Sequence, residues 1–271
     1  MLAPILIGTA VVLGGALSAR WNWWRPKRAG IPILLYHKVG IPPKESKLKK
    51  LWVSPEKFRR QMAYLSQRGY QAITFNDLYQ HWDLKLALPK KPVIITFDDG
   101  YVNNYLEAFP PLRDFGFRAT LFVVVNTVGA DNRWHNPATE TRIPMMTWAQ
   151  VRELKKAGWE IGSHTMNHPN LTKLPMDKVR EELTESRKHI AEFLGEAPLT
   201  FANPYGAGED DPLIRKAVQD SGYRLGIGIH AGKWTPDQMT QCPYGVPRVF
   251  IRGEENMLDF HLQCTRGQSR L

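Results

Sequence analysis

Two adjacent carboxylates, Asp98 and Asp99, follow an apolar run over residues 93–97, and Gly100 comes directly after them. A run of apolar and β-branched residues predicts a buried strand, and a glycine allows a sharp turn at its end. Two like charges at the end of a buried strand repel each other, and a bound cation would relieve that repulsion. The pair therefore indicates a cation site, although an Asp that caps a following helix is an alternative interpretation.

Two histidines four residues apart, His164 and His168, follow another predicted strand over residues 159–163. This spacing predicts that both rings lie on one side of a helical turn, where they can share a metal ion. With a carboxylate they would form a site of two His and one Asp, which leaves positions open for water. Nitrogen and oxygen ligands favour Zn²⁺, with Co²⁺ or Ni²⁺ as alternatives. Exposed or capping histidines are the other interpretation.

The elements that must position these residues alternate between strand and helix from residue 31 to residue 251, without an internal repeat or a linker. This order predicts an α/β fold of parallel strands wrapped by helices, either open or closed into a barrel. In such folds the functional site lies at the carboxyl ends of the strands. The polar departures from the apolar strand patterns lie at such ends: His37, Asp98 with Asp99, His164, and residues 203–205.

The chain of 271 residues has a net charge of +10, from 36 Lys and Arg against 26 Asp and Glu. A basic surface favours anionic partners such as nucleic acid, anionic lipid or an acidic polymer. The sequence contains no zinc-finger or helix-turn-helix pattern, which argues against nucleic acid binding. Cys242 and Cys264 do not form a Cys-x-x-Cys motif and are too few for a disulfide framework.

Residues 2–19 are apolar or small and carry no charge, a length at the border between a signal peptide and a membrane anchor. Tryptophans at positions 21, 23 and 24, mixed with four basic residues, are typical of a membrane surface and favour an uncleaved anchor. Cleavage near residues 16–18 is the alternative. We predict an anchor or signal segment over residues 1–29 and one domain over residues 30–271. The basic flank by itself would place that domain in the cytoplasm.

Three motifs resemble those of polysaccharide deacetylases with a NodB-homology domain: Thr-Phe-Asp-Asp-Gly-Tyr at 96–101, His-Thr-x-x-His at 164–168, and Phe-Ala-Asn-Pro-Tyr-Gly at 201–206. The resemblance covers residues 31–252 in order and spacing. Leu-Tyr-His-Lys-Val at 35–39, Ser-Pro-x-x-Phe at 54–58 and Pro-Arg at 247–248 resemble most closely the branch that includes poly-β-1,6-N-acetylglucosamine deacetylases. The family fold is a distorted (β/α) barrel, and the resemblance implies that fold here.

The resemblance also implies roles for individual residues. Asp99, His164 and His168 would bind the metal ion, and Asp98 would be the general base that takes a proton from water. This division of roles is chemically reasonable, because a cation makes water more acidic and an adjacent carboxylate can collect the proton.

The attacked carbon would be an amide carbonyl, whose developing oxyanion would be held by the metal and by the backbone N–H of Tyr205. The general acid that protonates the leaving amine would be His37, which lies in the Tyr-His motif of this branch. His230 and His261 are rival candidates, and a capping role at the strand end is the alternative for His37.

Two residues depart from the family pattern. Ala202 stands where an Arg that orients the general base is common, and we hypothesise that Arg248 supplies that charge; a surface Arg is the alternative. Asn203 replaces an aromatic residue often found in this branch. Three tryptophans could stack on sugar rings or belong to the core: Trp134, Trp148 and Trp234.

The resemblance therefore implies a metal-dependent, membrane-anchored N-deacetylase that releases acetate from amino sugars of a polysaccharide or glycolipid. Family membership favours an extracytoplasmic location, in the periplasm or at the cell surface, whereas the basic flank of the apolar segment favours the cytoplasm. A cytoplasmic domain would favour a lipid-linked sugar as the substrate. Two other functions are compatible with the residues. One is an esterase or deformylase with the same metal centre, and the other is a glycan-binding protein that has lost catalysis.

Overall fold

Strands and helices alternate along the chain, as the sequence predicts. The computed structural model describes residues 14–15, 26–138, 140–235, 238 and 241–269. Its strands are β1 (Ile31–Tyr36), β2 (Lys38–Val39), β3 (Trp52–Val53), β4 (Gln71–Ile73), β5 (Pro92–Phe97), β6 (Thr120–Val123), β7 (Glu160–Ser163), β8 (Thr200–Ala202), β9 (Leu225–Ala231), β10 (Lys233–Trp234) and β11 (Val246–Phe250). Its α-helices are α1 (Pro55–Gln67), α2 (Phe75–Leu84), α3 (Phe109–Asp114), α4 (Trp148–Lys156), α5 (Met176–Leu194), α6 (Pro212–Asp220) and α7 (Met257–Arg266).

Seven of these strands close into a barrel in the order β1, β11, β9, β8, β7, β6 and β5, because β5 pairs with β1 as well as with β6. All of the pairings within this ring are parallel. The carboxyl ends of the strands therefore meet at one end of the barrel, called the pocket end below, and their amino ends meet at the amino end. The predicted (β/α) barrel is confirmed.

Side chains alternate between the barrel interior and the surrounding helices along each strand. On β5, Ile94 packs with Ile33 of β1 and other strand residues in one cluster, whereas Phe97 packs in a second cluster with residues of α1, α3 and α4. The same two-residue period places Thr96 on the interior side and continues to Asp98 just beyond the strand. The strand pattern thus directs the first carboxylate into the mouth of the barrel.

The outer helices begin and end at residues that suit these positions. The predicted capping box at the start of α4 is present, with Thr147 accepting a hydrogen bond from the backbone N–H of Gln150. The amphipathic helix α5 buries Val179 and Leu183 on one face and ends at Gly195, whose φ of 77° is left-handed.

The predicted anchor or signal segment of residues 1–29 lies almost entirely outside the described residues. Within the described part of the chain, no helix combines the length and the apolar character needed to cross a bilayer. The first strand begins at Ile31, next to the predicted domain boundary.

Glu160 is a buried carboxylate at the amino end of the barrel, and its surroundings predict that the stability of the fold depends on pH. Its oxygens accept hydrogen bonds from Thr200 Oγ1 at 2.8 Å and from the Asn76 backbone N–H at 3.1 Å. Burial raises the pKa of Glu160 to about 7 despite these hydrogen bonds. A raised carboxyl pKa means that the contribution of this group to stability is fully present below the unfolded pKa and is lost as the pH rises through 7.

Between pH 4.5 and pH 8, the free energy of unfolding should therefore fall by about 3 kcal/mol more in the wild type than in the Glu160→Gln variant. Each pKa unit corresponds to about 1.4 kcal/mol. Urea unfolding of wild type and variant at both pH values measures this difference. Comparing the two proteins cancels the contributions of other titrating groups. Identical pH profiles of the two unfolding free energies would contradict the prediction.

Candidate metal centre and active site

Asp98 and Asp99 both reach the mouth of the barrel because the backbone departs from strand geometry between them. Successive residues of a strand point to opposite faces, so two neighbouring carboxylates would normally diverge. Asp99 has a left-handed φ of 76°, and Gly100 follows with a φ of 91°. Both carboxylates are consequently buried at the pocket end, where Asp98 is 2% exposed and Asp99 is 4% exposed.

His164 and His168 follow β7, but the helical turn predicted for them is wrong. The segment between them is irregular, with left-handed φ angles of 70° at Thr165 and 58° at His168. The Thr165 hydroxyl accepts a hydrogen bond from the backbone N–H of His168 at 2.9 Å and closes this turn. The two rings nevertheless meet edge to face, with centroids 4.8 Å apart.

Left-handed backbone is concentrated at this end of the barrel. Among the described residues, five non-glycine residues have a positive φ, and four of them surround the mouth: Asp99, Thr165, His168 and Tyr205, the last with a φ of 60°. Such conformations cost about 1 kcal/mol or more each and persist only when the surrounding structure enforces them. The strained backbone at these residues directs their side chains toward the mouth of the barrel.

Asp99, His164 and His168 fit a divalent metal ion. One ligand atom from each lies within 4.8 Å of the others, and His168 Nε2 and His164 Nε2 are 3.2 and 3.5 Å from Asp99 Oδ1. Tetrahedral ligands about 2.0–2.1 Å from a zinc ion are roughly 3.3 Å apart from each other. Asp99 Oδ1 is buried and has no hydrogen-bond partner among the described residues. The donor set and its spacing therefore suit Zn²⁺ or a similar ion.

The protonation states of these groups also suit a metal site. His164 Nδ1 lies 2.8 Å from the carbonyl oxygen of Ala202 and donates to it, which leaves the Nε2 lone pair directed at the cluster. Burial lowers the pKa of His164 to about 4, so the ring is neutral near pH 7. Burial by itself would raise the pKa of Asp99, but the contact with His168 and the nearby histidines hold it well below its ordinary value.

Asp98 does not belong to this cluster of three but forms a buried ion pair with Arg248 of β11. Arg248 Nη1 and Nη2 each lie 2.7 Å from one oxygen of Asp98, in a bidentate arrangement. The Arg248 side chain is fully buried and also donates to the Gly228 carbonyl and to Thr96 Oγ1. The structure thus places Arg248 on Asp98, and the surface Arg considered as the alternative is excluded.

This ion pair fixes the charge of Asp98. Burial acts to raise the pKa of its carboxyl, but the charge of Arg248, followed by those of the nearby histidines, keeps the pKa below the ordinary value. Asp98 therefore stays ionised and is oriented by two hydrogen bonds. His164 Nε2 is 4.0 Å from its Oδ2, so the carboxylate lies beside the candidate metal site.

The site opens into a pocket of about 380 Å³, and His37 forms part of its wall. The His37 ring lies edge to face with Phe250 at 5.4 Å, and its Nδ1 has no partner among the described residues. Burial lowers the pKa of His37, which the carboxylates of Asp99 and Asp98 oppose in part. A lower pKa makes the protonated ring a stronger acid, although less of it is populated at neutral pH.

Neither rival histidine lines this pocket. His261 lies on α7 and contacts the Tyr64 hydroxyl at 2.6 Å, far from the strand ends that carry the two carboxylates. His230 is 61% exposed and pairs with Asp210 at 2.5 Å. Of the three candidates for the general acid, the structure brings His37 to the site.

Tyr205 and Asn203 follow β8 and form another part of the pocket wall. The Tyr205 ring is half exposed and lies edge to face with His168 at 4.5 Å. Asn203 is buried, and its Oδ1 has no hydrogen-bond partner in the described part of the chain. The segment therefore presents an aromatic edge and an amide acceptor to whatever enters the pocket.

Only Trp134 of the three tryptophans considered as sugar platforms lines the pocket, with its ring 4.7 Å from that of His168. Trp148 instead stacks on Phe193 at 4.4 Å. Trp234 is 1% exposed and belongs to the interior core. A larger cavity of about 460 Å³ lies at the amino end, beside Glu160 and Arg224, but it contains no comparable cluster.

Sequence analysis did not identify Glu182 of α5, which braces the histidine segment. Its carboxylate accepts hydrogen bonds from the backbone N–H groups of Met166 and Asn167 at 2.9 and 3.0 Å, and from Asn167 Nδ2 at 2.6 Å. The contact joins residues 15 and 16 positions apart in sequence, and no motif around Glu182 indicates it.

Lys38 was also missed. It is fully buried, and its Nζ lies 4.5 Å from the ring centroid of Tyr101 and 5.5 Å from that of Trp52. Burial lowers the pKa of Lys38, while the charge of Asp99 acts in the opposite direction. Because other lysines in the following loop are exposed, its residue type alone gave no sign of burial.

Comparison with known proteins agrees with this geometry. Residues 85–226 match the family model of polysaccharide deacetylases. The Bacillus subtilis protein YxkH, which is named for the same family, is 31% identical over 216 residues, covering 78% of this chain and 69% of that protein. A poly-β-1,6-N-acetyl-D-glucosamine N-deacetylase of Staphylococcus aureus is 28% identical over 215 residues, covering 75% and 69%.

Solved structures show the same fold. The deacetylase PplD of Streptococcus pyogenes superposes with a TM-score of 0.74 at 23% identity, covering 88% of this chain and 99% of that one. IcaB of Ammonifex degensii superposes with a TM-score of 0.64 at 25% identity, covering 82% and 98%. The chain therefore belongs to the polysaccharide deacetylase family of hydrolases.

Proposed function

We propose that the protein is a metal-dependent N-deacetylase that hydrolyses the N-acetyl groups of amino sugars in a polysaccharide. The observation that carries this proposal is the convergence of Asp99, His164 and His168 beside an ionised Asp98 at the bottom of one pocket. A divalent ion bound there, most readily Zn²⁺ with Co²⁺ or Ni²⁺ as alternatives, would supply Lewis-acid chemistry that activates water and a carbonyl.

The family resemblance suggests the remaining roles, and the contacts of Asp98, Arg248 and His37 support them. Asp98 accepts the proton of the attacking water, and Arg248 keeps its carboxylate ionised and oriented. The backbone N–H of Tyr205 stabilises the negative charge that develops on the acetyl oxygen. His37 then protonates the departing amine, so that acetate and a free amino sugar leave the pocket.

The proposed substrate is an N-acetylglucosamine polymer or a related glycan. Similarity to a poly-β-1,6-N-acetyl-D-glucosamine N-deacetylase supports this choice. Trp134 and Tyr205 offer aromatic surface for a sugar ring, while Asn203 Oδ1 and Trp134 Nε1 lack partners among the described residues and are available for hydrogen bonds. We also propose that residues 1–29 anchor residues 30–271 to a membrane on its extracytoplasmic side.

Acetate release from a panel of glycans tests the proposal. Wild type and the Asp98→Asn variant are compared on N-acetylated, O-acetylated and N-formylated oligomers of glucosamine, with and without a chelator. We expect chelator-sensitive release from the N-acetylated oligomers and almost none from the variant. Preference for the ester or formyl substrates would favour an esterase or a deformylase. Glycan binding without release from any substrate would favour a binding protein.

Glu182 should matter for activity although it is outside the pocket. Replacing it by Ala removes three hydrogen bonds to the segment that carries both histidines, so the ligand rings lose their alignment. Loss of groups that support metal ligands lowers metal affinity or activity by 10- to 100-fold in general. We expect such a decrease for Glu182→Ala in zinc titrations and acetate release.

The neighbouring Glu181 provides a matched control, because it lies on the same helix and its carboxylate pairs with Lys178 alone among the described residues. Glu181→Ala should retain wild-type zinc affinity. Equal behaviour of the two variants would contradict a positioning role for Glu182.

A further inference from the structure

The amino end of the barrel carries a group of basic residues for which the catalytic proposal has no use. Lys27 and Arg28 precede β1, Arg68 precedes β4, and Lys91 precedes β5, so all four lie where strands begin. Because these strands are parallel neighbours, the four residues gather at one end of the molecule. With Lys233 of β10 they form what we call the amino-end basic face.

Direct contacts confirm that these residues are close together. Lys91 Nζ donates to the Arg68 carbonyl at 2.7 Å, and Lys233 Nζ donates to the Arg28 carbonyl at 2.8 Å. The charges of Lys27, Arg68 and Lys91 all lower the pKa of His261, after the larger effect of burial. One histidine on α7 thus lies within reach of charges from three separate segments.

The face is exposed and its charge is not neutralised locally. Lys27, Arg28, Arg68 and Lys91 are exposed, and none makes an ion pair with a carboxylate of the described residues. Lys91 and Arg68 instead lie over the rings of Tyr70 and Tyr64, at 4.5 and 5.5 Å from the centroids. These cation–π contacts hold the two charged groups at the protein surface without cancelling their charge.

The sequence that enters at this end identifies the partner chemistry. Residues 2–19 carry no charge and are long enough to insert in a bilayer, and a segment with three Trp and two Arg follows at residues 20–25. Lys27 and Arg28 are the next charged residues, and they belong to the basic face. An apolar segment that leads directly into a cationic surface matches a bilayer, which is apolar inside and carries anionic headgroups outside.

We propose that the amino-end basic face binds the anionic headgroups of a lipid bilayer into which residues 2–19 insert. The pocket lies at the opposite end of the strands, and six residues of β1 separate the two ends by about 20 Å. The pocket then opens away from the bilayer, so that a polymer beyond the headgroup layer reaches it more readily than a sugar at the membrane surface. This orientation is independent of the deacetylase reaction.

Vesicle partitioning of the full-length chain tests the proposal. Partition coefficients are measured for phosphatidylcholine vesicles with and without phosphatidylglycerol, and their ratio isolates the contribution of anionic headgroups from that of the apolar segment. Each basic residue near an anionic surface strengthens binding by roughly fivefold. We expect the triple variant Lys27→Gln, Arg68→Gln, Lys91→Gln to lower the ratio by roughly 100-fold.

A control with the same loss of charge uses three exposed lysines of the loop at the pocket end, as Lys44→Gln, Lys47→Gln, Lys49→Gln. We expect this control to keep the wild-type ratio. Because Arg68 and Lys91 pack on tyrosines, a second variant serves if the first does not fold. It replaces Lys27 and the exposed neighbour of Lys91, as Lys27→Gln, Lys90→Gln, and should lower the ratio by about 25-fold.

An unchanged ratio in the amino-end variants, or a larger decrease in the pocket-end control, would overturn the proposal. A wild type that shows no preference for anionic headgroups, with amino-end variants that lose binding to soluble dextran sulfate, would assign the face to an acidic polymer. That result would also overturn the proposal. Acetate release from a soluble glycan should be unaffected in the amino-end variants. That measurement separates a failure of this proposal from a failure of the deacetylase assignment.

Discussion

Replacing Asp98 by Asn is expected to slow acetate release about 1,000-fold, with little change in glycan binding. The amide cannot accept a proton from the attacking water, and general-base catalysis by a positioned side chain contributes about 10²- to 10⁴-fold. Since Asp98 is not in the cluster of proposed ligands, bound zinc should stay at one ion per chain. Initial rates on N-acetylated glucosamine oligomers, together with metal analysis, measure both quantities.

The variant also leaves the buried charge of Arg248 without its bidentate partner, which generally destabilises a protein by about 3–5 kcal/mol. Loss of folded protein must therefore be distinguished from loss of the base. The double variant Asp98→Asn, Arg248→Met removes both charges and should recover most of the unfolding free energy without recovering acetate release. Recovery of activity in the double variant would show that Asp98 acts only through structure.

Replacing His168 by Ala should abolish stoichiometric zinc binding and lower acetate release by about 1,000-fold or more. The ring supplies one of three ligand atoms, and a catalytic metal ion contributes several kcal/mol of transition-state stabilisation, at about 1.4 kcal/mol for each factor of ten. Zinc should also raise the melting temperature of the wild type, because it binds only the folded chain, and it should do so much less for the variant.

His135 provides the control for this experiment, because it lines the same pocket but is not in the cluster of ligand atoms. The His135→Ala variant should bind one zinc ion and show the wild-type increase in melting temperature. If His168→Ala kept its zinc and its activity, the site of two His and one Asp would be wrong.

Much of the fold follows from residue periodicity. The apolar run before Asp98 predicted a buried strand, and strand alternation explains why that carboxylate enters the barrel. The adjacent Asp99 reaches the same site only because its backbone is left-handed at a φ of 76°. Sequence patterns suggested that both acids share a site, but the conformation that allows it depends on contacts formed after folding.

Contacts between distant segments were harder to predict. The prediction for the histidine segment was wrong because a spacing of four residues suggests a helical turn. In the structure, Thr165 and His168 adopt left-handed conformations. Glu182 was missed because it lies on a helix whose surface pattern resembles that of any amphipathic helix. Nothing in that pattern indicates that its carboxylate accepts three hydrogen bonds from the histidine segment. Arg248 was predicted because Ala202 replaces the Arg that usually pairs with the general base in this family, so another Arg had to be sought for Asp98.

The left-handed residues around the pocket have a consequence for protein engineering. Glycine adopts such conformations without a side-chain clash, so Tyr205→Gly, which removes a half-exposed ring, would relieve about 1 kcal/mol of strain. Thr165→Gly would bring no such gain, because it also removes the buried hydroxyl that closes the histidine turn. A library selected for heat resistance alone would therefore enrich glycine at position 205 while loosening the segment that holds the Tyr205 amide. Thermostable descendants of this enzyme should be sought by screening turnover in every round, with this position held fixed.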